Sequence, residues 1–111
     1  MNRIVQYLPE LPVYEEGHKK GVLIWFLHGL GDTRHTWDEI FNDLKSDFRL
    51  LSMDLPGHGS SLEYFNEQFE YMDDAVGCFK EITEQVSNDL SFFIVGHSLG
   101  AEIALQFAAT C

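Results

Sequence analysis

Basic residues are scarce. The 111-residue chain carries 7 Lys and Arg against 18 Asp and Glu, a formal net charge of −11. Phosphate backbones and anionic membrane surfaces are bound by clustered Lys and Arg, so the charge balance excludes both as expected partners. The acidic residues form no tail: Glu15-Glu16 and Asp73-Asp74 are short pairs that read as solvated surface. Cysteine is nearly absent. Cys78 and Cys111 form neither a disulfide framework nor a metal-ligand spacing, and read as free thiols of a reducing compartment. No apolar run of signal-peptide type follows Met1-Asn2-Arg3, and none approaches the roughly 20 residues needed to span a bilayer. From these absences follows the expectation of a cytoplasmic protein that contacts no membrane.

What is present is a globular composition, 45% hydrophobic and 14% aromatic, enough to build a core. Three short apolar runs stand out: Val22 to Leu27, Phe48 to Met53 and Phe92 to Val95. Each is continuous rather than alternating, as expected of strands covered on both faces. Helical patterns lie between and after them. Trp37, Ile40, Phe41 and Leu44 share one helical face, with Thr36 and Glu39 as a candidate capping box. Met72, Ala75, Val76, Phe79, Ile82 and Val86 form a second stripe. A third helix after Ser98 is apolar nearly all round, which predicts burial on most sides. Strand and helix alternate from Val22 onward, which predicts an α/β fold with a mostly parallel sheet and helices on both faces. Ile4 to Val13 reads as a further strand or hairpin, confined to a sheet edge by Pro9 and Pro12. Gly59 to Tyr71 reads as a loop, with Tyr64, Phe65, Phe69 and Tyr71 either packing it down or lining an entrance.

The sharpest motif is Gly96-His97-Ser98-Leu99-Gly100, directly between a strand and a helix. A serine on so tight a turn projects its hydroxyl above the sheet, and Gly96 and Gly100 leave room for the turn. The helix start aims free N–H groups at the same place. A second glycine turn, His28-Gly29-Leu30-Gly31, follows the first strand. The Leu30 and Leu99 amides are the natural pair of donors for an oxyanion, with His28 and Gly29 supporting the turn. The third turn, Asp54-Leu55-Pro56-Gly57-His58-Gly59-Ser60-Ser61, reads as structural, letting the chain reverse at the top of the sheet.

In their order and spacing these three turns resemble the α/β-hydrolase superfamily over residues 22–109. The resemblance implies Ser98 as nucleophile and the Leu30 and Leu99 amides as the oxyanion hole. A serine there is similar to the esterase, thioesterase, peptidase and C–C-bond hydrolase branches, and unlike dehalogenases and epoxide hydrolases, where an aspartate attacks. It implies a hydrolase acting on a small ester or thioester through an acyl-enzyme, with no metal and no cofactor. In this family an acid and then a histidine follow the serine. All five histidines here (His18, His28, His35, His58 and His97) precede Ser98, and Glu102 is the acid closest after it. His97 should point away from the hydroxyl, since adjacent side chains diverge. Residues 1–111 therefore read as an incomplete α/β-hydrolase domain, with 1–21 as an N-terminal edge segment and the C-terminal strands and helices absent. Two alternatives stay open. In one the chain is a non-catalytic binding or dimerisation module that self-associates through an exposed sheet edge. In the other His58 or a partner chain supplies the base.

Overall fold

The computed structural model describes residues 3–6, 11–64, 70–86 and 91–110. In chain order these form β1 (Arg3–Gln6), β2 (Pro12–Gly17), β3 (Val22–Leu27), α1 (Asp38–Leu44), β4 (Phe48–Met53), α2 (Tyr71–Val86), β5 (Phe93–Gly96) and α3 (Leu99–Thr110). A 3-10 segment precedes α1 at Arg34–Trp37, and another, kinked at Ser61, follows β4 at Gly59–Tyr64. The five strands make one sheet in the order β1-β2-β4-β3-β5.

The expected parallel core is present. β3 pairs with β4 from Val22 opposite Phe48 to Leu27 opposite Met53. On its other side β3 pairs with β5 from Ile24 opposite Phe93 to Leu27 opposite Gly96. Leu27, Met53 and Gly96 thus end their strands level with one another, and the three glycine-containing turns leave the sheet side by side. In open α/β sheets that end is where ligands bind.

Strand alternation splits the core in two. Leu23, Trp25, Leu27, Leu51 and Met53 face Ala75, Phe79 and Ile82 of α2 and Ile103 and Phe107 of α3. Phe79 sits edge-on to Trp25 at 5.1 Å and to Phe107 at 5.0 Å. On the opposite face Ile24, Phe26 and Leu50 meet Trp37 and Phe41. Helices therefore lie on both faces, and the two predicted stripes face the sheet except at Ile40, which is 39% exposed.

Four expectations need correction. β5 is not covered on both faces. Its register places Phe93 and Val95 beside Ile24 and Phe26, yet Phe93 is 66% exposed. The seven-residue α1 lies over β2 and β4 and stops short of β5. Second, α3 is buried along one face only, through Gly100, Ile103 and Phe107, while Leu105 is 71% exposed. Its apolar outer side meets no further element among the described residues. Third, the capping box does not form. Thr33 caps the 3-10 turn by accepting from the His35 N–H, and the Thr36 hydroxyl donates to Asp32 instead. Fourth, residues 59–64 of the expected loop are 3-10 helix, and Phe65 and Phe69 lie outside the described residues.

The N-terminal segment is a hairpin, as expected, but only β1 lies at the edge. β2 continues past Val13 to Gly17 and is inserted between β1 and β4, antiparallel to both. Pro12 is tolerated because it is the first residue of the strand. Glu15, buried in β2, is neutralised by Arg49 of β4 at 3.1 Å.

The uneven cover gives a direct test. Phe79→Ala should cost about 3–5 kcal/mol in urea unfolding, and Phe93→Ala no more than about 0.5 kcal/mol. Equal losses would contradict the core assignment.

Candidate active site

Ser98 has φ +53, and among the described residues it is the sole non-glycine with positive φ. Holding a serine there costs on the order of 1–3 kcal/mol, so the surroundings must enforce it. They do so by close approach. A Cβ on Gly100 would lie 2.1 Å from the Leu27 carbonyl oxygen and 2.6 Å from that of His28. A Cβ on Gly96 would meet Ala101 backbone at 2.7 Å. The first turn of α3 is thus pressed onto the end of β3, and the His97 N–H closes the joint by donating to the Leu27 carbonyl at 3.1 Å. Ser98 is left exposed at the end of the parallel strands.

The second turn packs against it. Asp32 N–H donates to the Gly29 carbonyl at 3.1 Å, and Gly31 has φ +79, the geometry of a type II turn with glycine in its third position. Gly29 lies against both neighbours of the elbow: a Cβ there would be 2.8 Å from His97 Nδ1 and 3.3 Å from Ser98 Cβ. Among the described residues neither the Leu30 nor the Leu99 N–H has a hydrogen-bond partner. The predicted serine and both predicted donors are therefore brought to one place.

The third turn holds the second, and here the structure adds what the sequence did not reveal. Asp54 accepts from the Arg34 N–H at 2.8 Å, the Ser60 N–H at 3.0 Å and the Ser60 hydroxyl at 2.8 Å. Tyr14 extends the chain by donating to Ser60 Oγ at 3.1 Å, and the Arg34 guanidinium stacks on the Tyr14 ring. Burial pushes the Asp54 carboxyl up, but these donors and nearby His28 outweigh it and hold it below its ordinary value. Gly59, at φ +47, is required because a Cβ would sit 2.5 Å from Asp54 Oδ2. The structural reading of residues 54–61 thus has a specific cause: Asp54 ties the start of the α1 segment to the turn after β4.

His28 is fully buried and props the turns from below. Its Nε2 accepts from the Leu55 N–H at 2.9 Å, so Nδ1 carries the proton and donates to the Gly29 carbonyl at 2.7 Å. Burial lowers its pKa below the ordinary 6.5, keeping the ring neutral as this pattern demands. His58 repeats the arrangement one layer out. Its Nε2 accepts from the Gly31 N–H at 3.0 Å and its Nδ1 donates to the Pro56 carbonyl at 3.1 Å. Both nitrogens are occupied, so in this arrangement His58 has no lone pair for the Ser98 hydroxyl. The exposed side chains of His18 and His35 bond locally, to the Lys20 N–H and the Asp38 carboxylate.

Two adjoining depressions share Leu30 and Leu99 as their common wall. One, about 380 Å³, is also lined by Gly31, Pro56, Gly57, His58 and Tyr71. The other, about 290 Å³, holds Ser98 and Glu102. Tyr71 is the aromatic of the expected four that can be placed here. Its hydroxyl donates to the Pro56 carbonyl at 2.9 Å, and burial together with Cys78 pushes its pKa up to about 12. It is neutral at any ordinary pH. Glu102 is exposed in the first turn of α3, where a carboxylate suits the helix dipole. Cys78 is a free, half-buried thiol on α2. Cys111 lies outside the described residues. Among the described residues no group of three or more His, Cys, Asp and Glu could hold a metal ion, and no helix is long and apolar enough to cross a membrane.

A family model described as the alpha/beta hydrolase fold matches residues 22–110. The chain belongs to the α/β-hydrolase family. Among curated proteins it is 38% identical, over 93 residues, to a 2-succinyl-6-hydroxy-2,4-cyclohexadiene-1-carboxylate synthase of Escherichia fergusonii, an alignment covering 82% of this chain and 35% of that protein. The chain thus spans about a third of the length of the curated relatives it matches. Among solved structures, an epoxide hydrolase variant of Vigna radiata superposes with TM-score 0.82 at 24% identity, over 99% of this chain and 34% of that one. The Cif epoxide hydrolase of Acinetobacter nosocomialis gives 0.83 at 22% identity, over 100% and 34%. At these identities the structures share the fold.

Two glycines separate the elbow from ordinary helix. Gly100→Ala should destabilise by about 3 kcal/mol or more, because backbone atoms cannot move aside. Gly77→Ala, in α2 with nothing within 4 Å of a Cβ, should stabilise by about 0.5–1 kcal/mol. Thermal unfolding of both variants decides it, and a tolerated Gly100→Ala would contradict the close approach.

The pKa shifts give a pH dependence. A buried neutral histidine contributes fully above its unfolded value of 6.5, and that contribution is lost as pH falls toward the lower folded value. Asp54 contributes above its unfolded value of 3.8 and loses this as pH falls through its depressed folded value. Both make acid destabilising, His28 first. The urea midpoint should drop between about pH 7.5 and 5.5, and less in His28→Gln. An equal drop in that variant would rule out His28 as the cause.

Proposed function

We propose that Ser98 is the nucleophile of a serine hydrolase that cleaves small esters or thioesters through an acyl-enzyme. The observation carrying this reading is the convergence of a strained, exposed Ser98 with two unpartnered backbone N–H groups, Leu30 and Leu99, beside an apolar cleft. Attack of Oγ on a carbonyl carbon leaves a negative oxygen, and preorganised N–H donors there are worth roughly 10² to 10³ each in rate. The proton of Ser98 must pass to a base. Each histidine of the described cleft is either committed to backbone partners or, like His97, packed over Gly29, so the base and its orienting acid are assigned to sequence outside these residues. A cytoplasmic setting agrees with the free thiol of Cys78. The open β5 edge beside Phe93 is where self-association would run; Phe93→Lys should reduce any dimer seen by sedimentation.

The relative's name suggests a second reading, in which the protein handles a succinyl cyclohexadiene carboxylate. Its support is the 38% identity. Against it, among the described residues neither Lys nor Arg lines either depression, and Glu102 adds negative charge beside Ser98. An anionic substrate would meet no counter-charge there.

The test is acylation by activated esters. With p-nitrophenyl acetate, intact mass should rise by one acetyl group, mapped to Ser98 and absent in Ser98→Ala. The matching succinate monoester should acylate more slowly. Labelling that persists in Ser98→Ala would overturn the proposal, and faster succinylation would favour the second reading.

A further inference from the structure

Beyond the nucleophile and its two donors, one side chain holds the turn that carries the Leu30 donor. The Leu30 amide belongs to the Gly29–Asp32 turn, whose central peptide joins Leu30 to Gly31. The N–H of that peptide is held by a side chain 27 residues away, His58 Nε2 at 3.0 Å. The His58 ring is itself fixed from three sides. Nδ1 donates to the Pro56 carbonyl. The Tyr71 hydroxyl donates to that same carbonyl, tying it to α2. His28 packs edge-on at 5.0 Å.

We propose that His58 is a positioning residue for the oxyanion turn, and that it works only as the neutral ring protonated on Nδ1. The inference rests on the serine-hydrolase reading for its consequence, but not for its geometry. A backbone N–H can donate only to an imidazole lone pair. Protonation of His58 converts Nε2 from acceptor to donor and sets two donors against each other. The Leu30–Gly31 peptide is then released, and glycine at position 31, with no Cβ, lets it rotate.

The titratable groups on the elements packed around the ring are Asp32 on the turn after β3, Asp54 and its donors on the turn after β4, His28 at the end of β3, His97 and Glu102 at the start of α3, and Tyr71 of α2. Of these His28 is buried and neutral, and Tyr71 stays uncharged. Protonation of the His58 ring opens the latch.

Two variants separate the acceptor from the ring. His58→Phe keeps the packing against His28 and removes the acceptor. His58→Gln places an amide oxygen near the Nε2 position and cannot be protonated. In the ¹⁵N-labelled chain, a scalar coupling between the Gly31 amide nitrogen and His58 Nε2 should be present at alkaline pH. It should vanish as the ring protonates, in step with the imidazole ¹⁵N shifts. Phosphonylation of Ser98 by a fluorophosphonate should slow by about tenfold or more in His58→Phe and stay within about twofold of wild type in His58→Gln. The Gln variant should also lose the acid-side fall in rate that accompanies His58 protonation in the wild type. Absence of the coupling at alkaline pH, or a Phe variant labelled as fast as wild type, overturns the proposal. If the coupling behaves as expected but Ser98 is not labelled in any form, the latch geometry stands and the serine-hydrolase reading fails.

Discussion

Two carbonyl oxygens, those of Leu27 and His28, occupy the space where a side chain at position 100 would go. Much of the site depends on that contact. It lets the first turn of α3 rest directly on the end of β3, which forces the chain through position 98 in a left-handed conformation. Because β3, β4 and β5 end level, the same contact brings the turn after β3 against the elbow. Gly29 then has to be bare as well, since His97 and Ser98 crowd it. The strain at Ser98 is small beside the burial that opposes its release: Ile103 and Phe107 of α3 are locked under Phe79 and Trp25. The core holds the elbow in place.

Above this joint the site is built from backbone and neutral rings. Two histidines, stacked edge to face, each accept from a backbone N–H of one turn and donate to a backbone carbonyl of a turn. They join the segments after β3 and β4 without placing a charge in the cleft. Asp54 carries the single buried charge of this cluster and is surrounded by donors. The cleft wall of Leu30, Leu99, Pro56 and Tyr71 is left apolar and uncharged.

The strands, the three helices and the elbow were legible because each is local: continuous apolar runs, 3.6-residue stripes and glycines at fixed offsets from a serine. What was illegible depended on distant partners. Nothing near Phe93 in sequence says that the short α1 stops before reaching β5, so a two-sided strand was expected where one side is open. The apolar circumference of α3 promised burial that the described residues do not supply, Leu105 being the clearest case. Thr36 and Glu39 have the spacing of a capping box, but Asp32 competes for the Thr36 hydroxyl and Thr33 takes the cap. His58 lies over the site, where a base could stand, and its actual partners, Gly31 and Pro56, follow only from the fold. Asp54 could have been found, since a carboxylate opening a Pro-Gly turn that ends in serines is a frequent acceptor of turn N–H groups.

The account stands or falls on where the oxyanion sits. The most direct measurement is a crystal structure of the chain with Ser98 phosphonylated, in which the phosphonyl oxygen stands in for the tetrahedral oxyanion. That oxygen should lie about 2.7–3.1 Å from both the Leu30 and the Leu99 amide nitrogens. A phosphonyl oxygen turned to solvent, or held by other groups while these two amides stay unpaired, would contradict it.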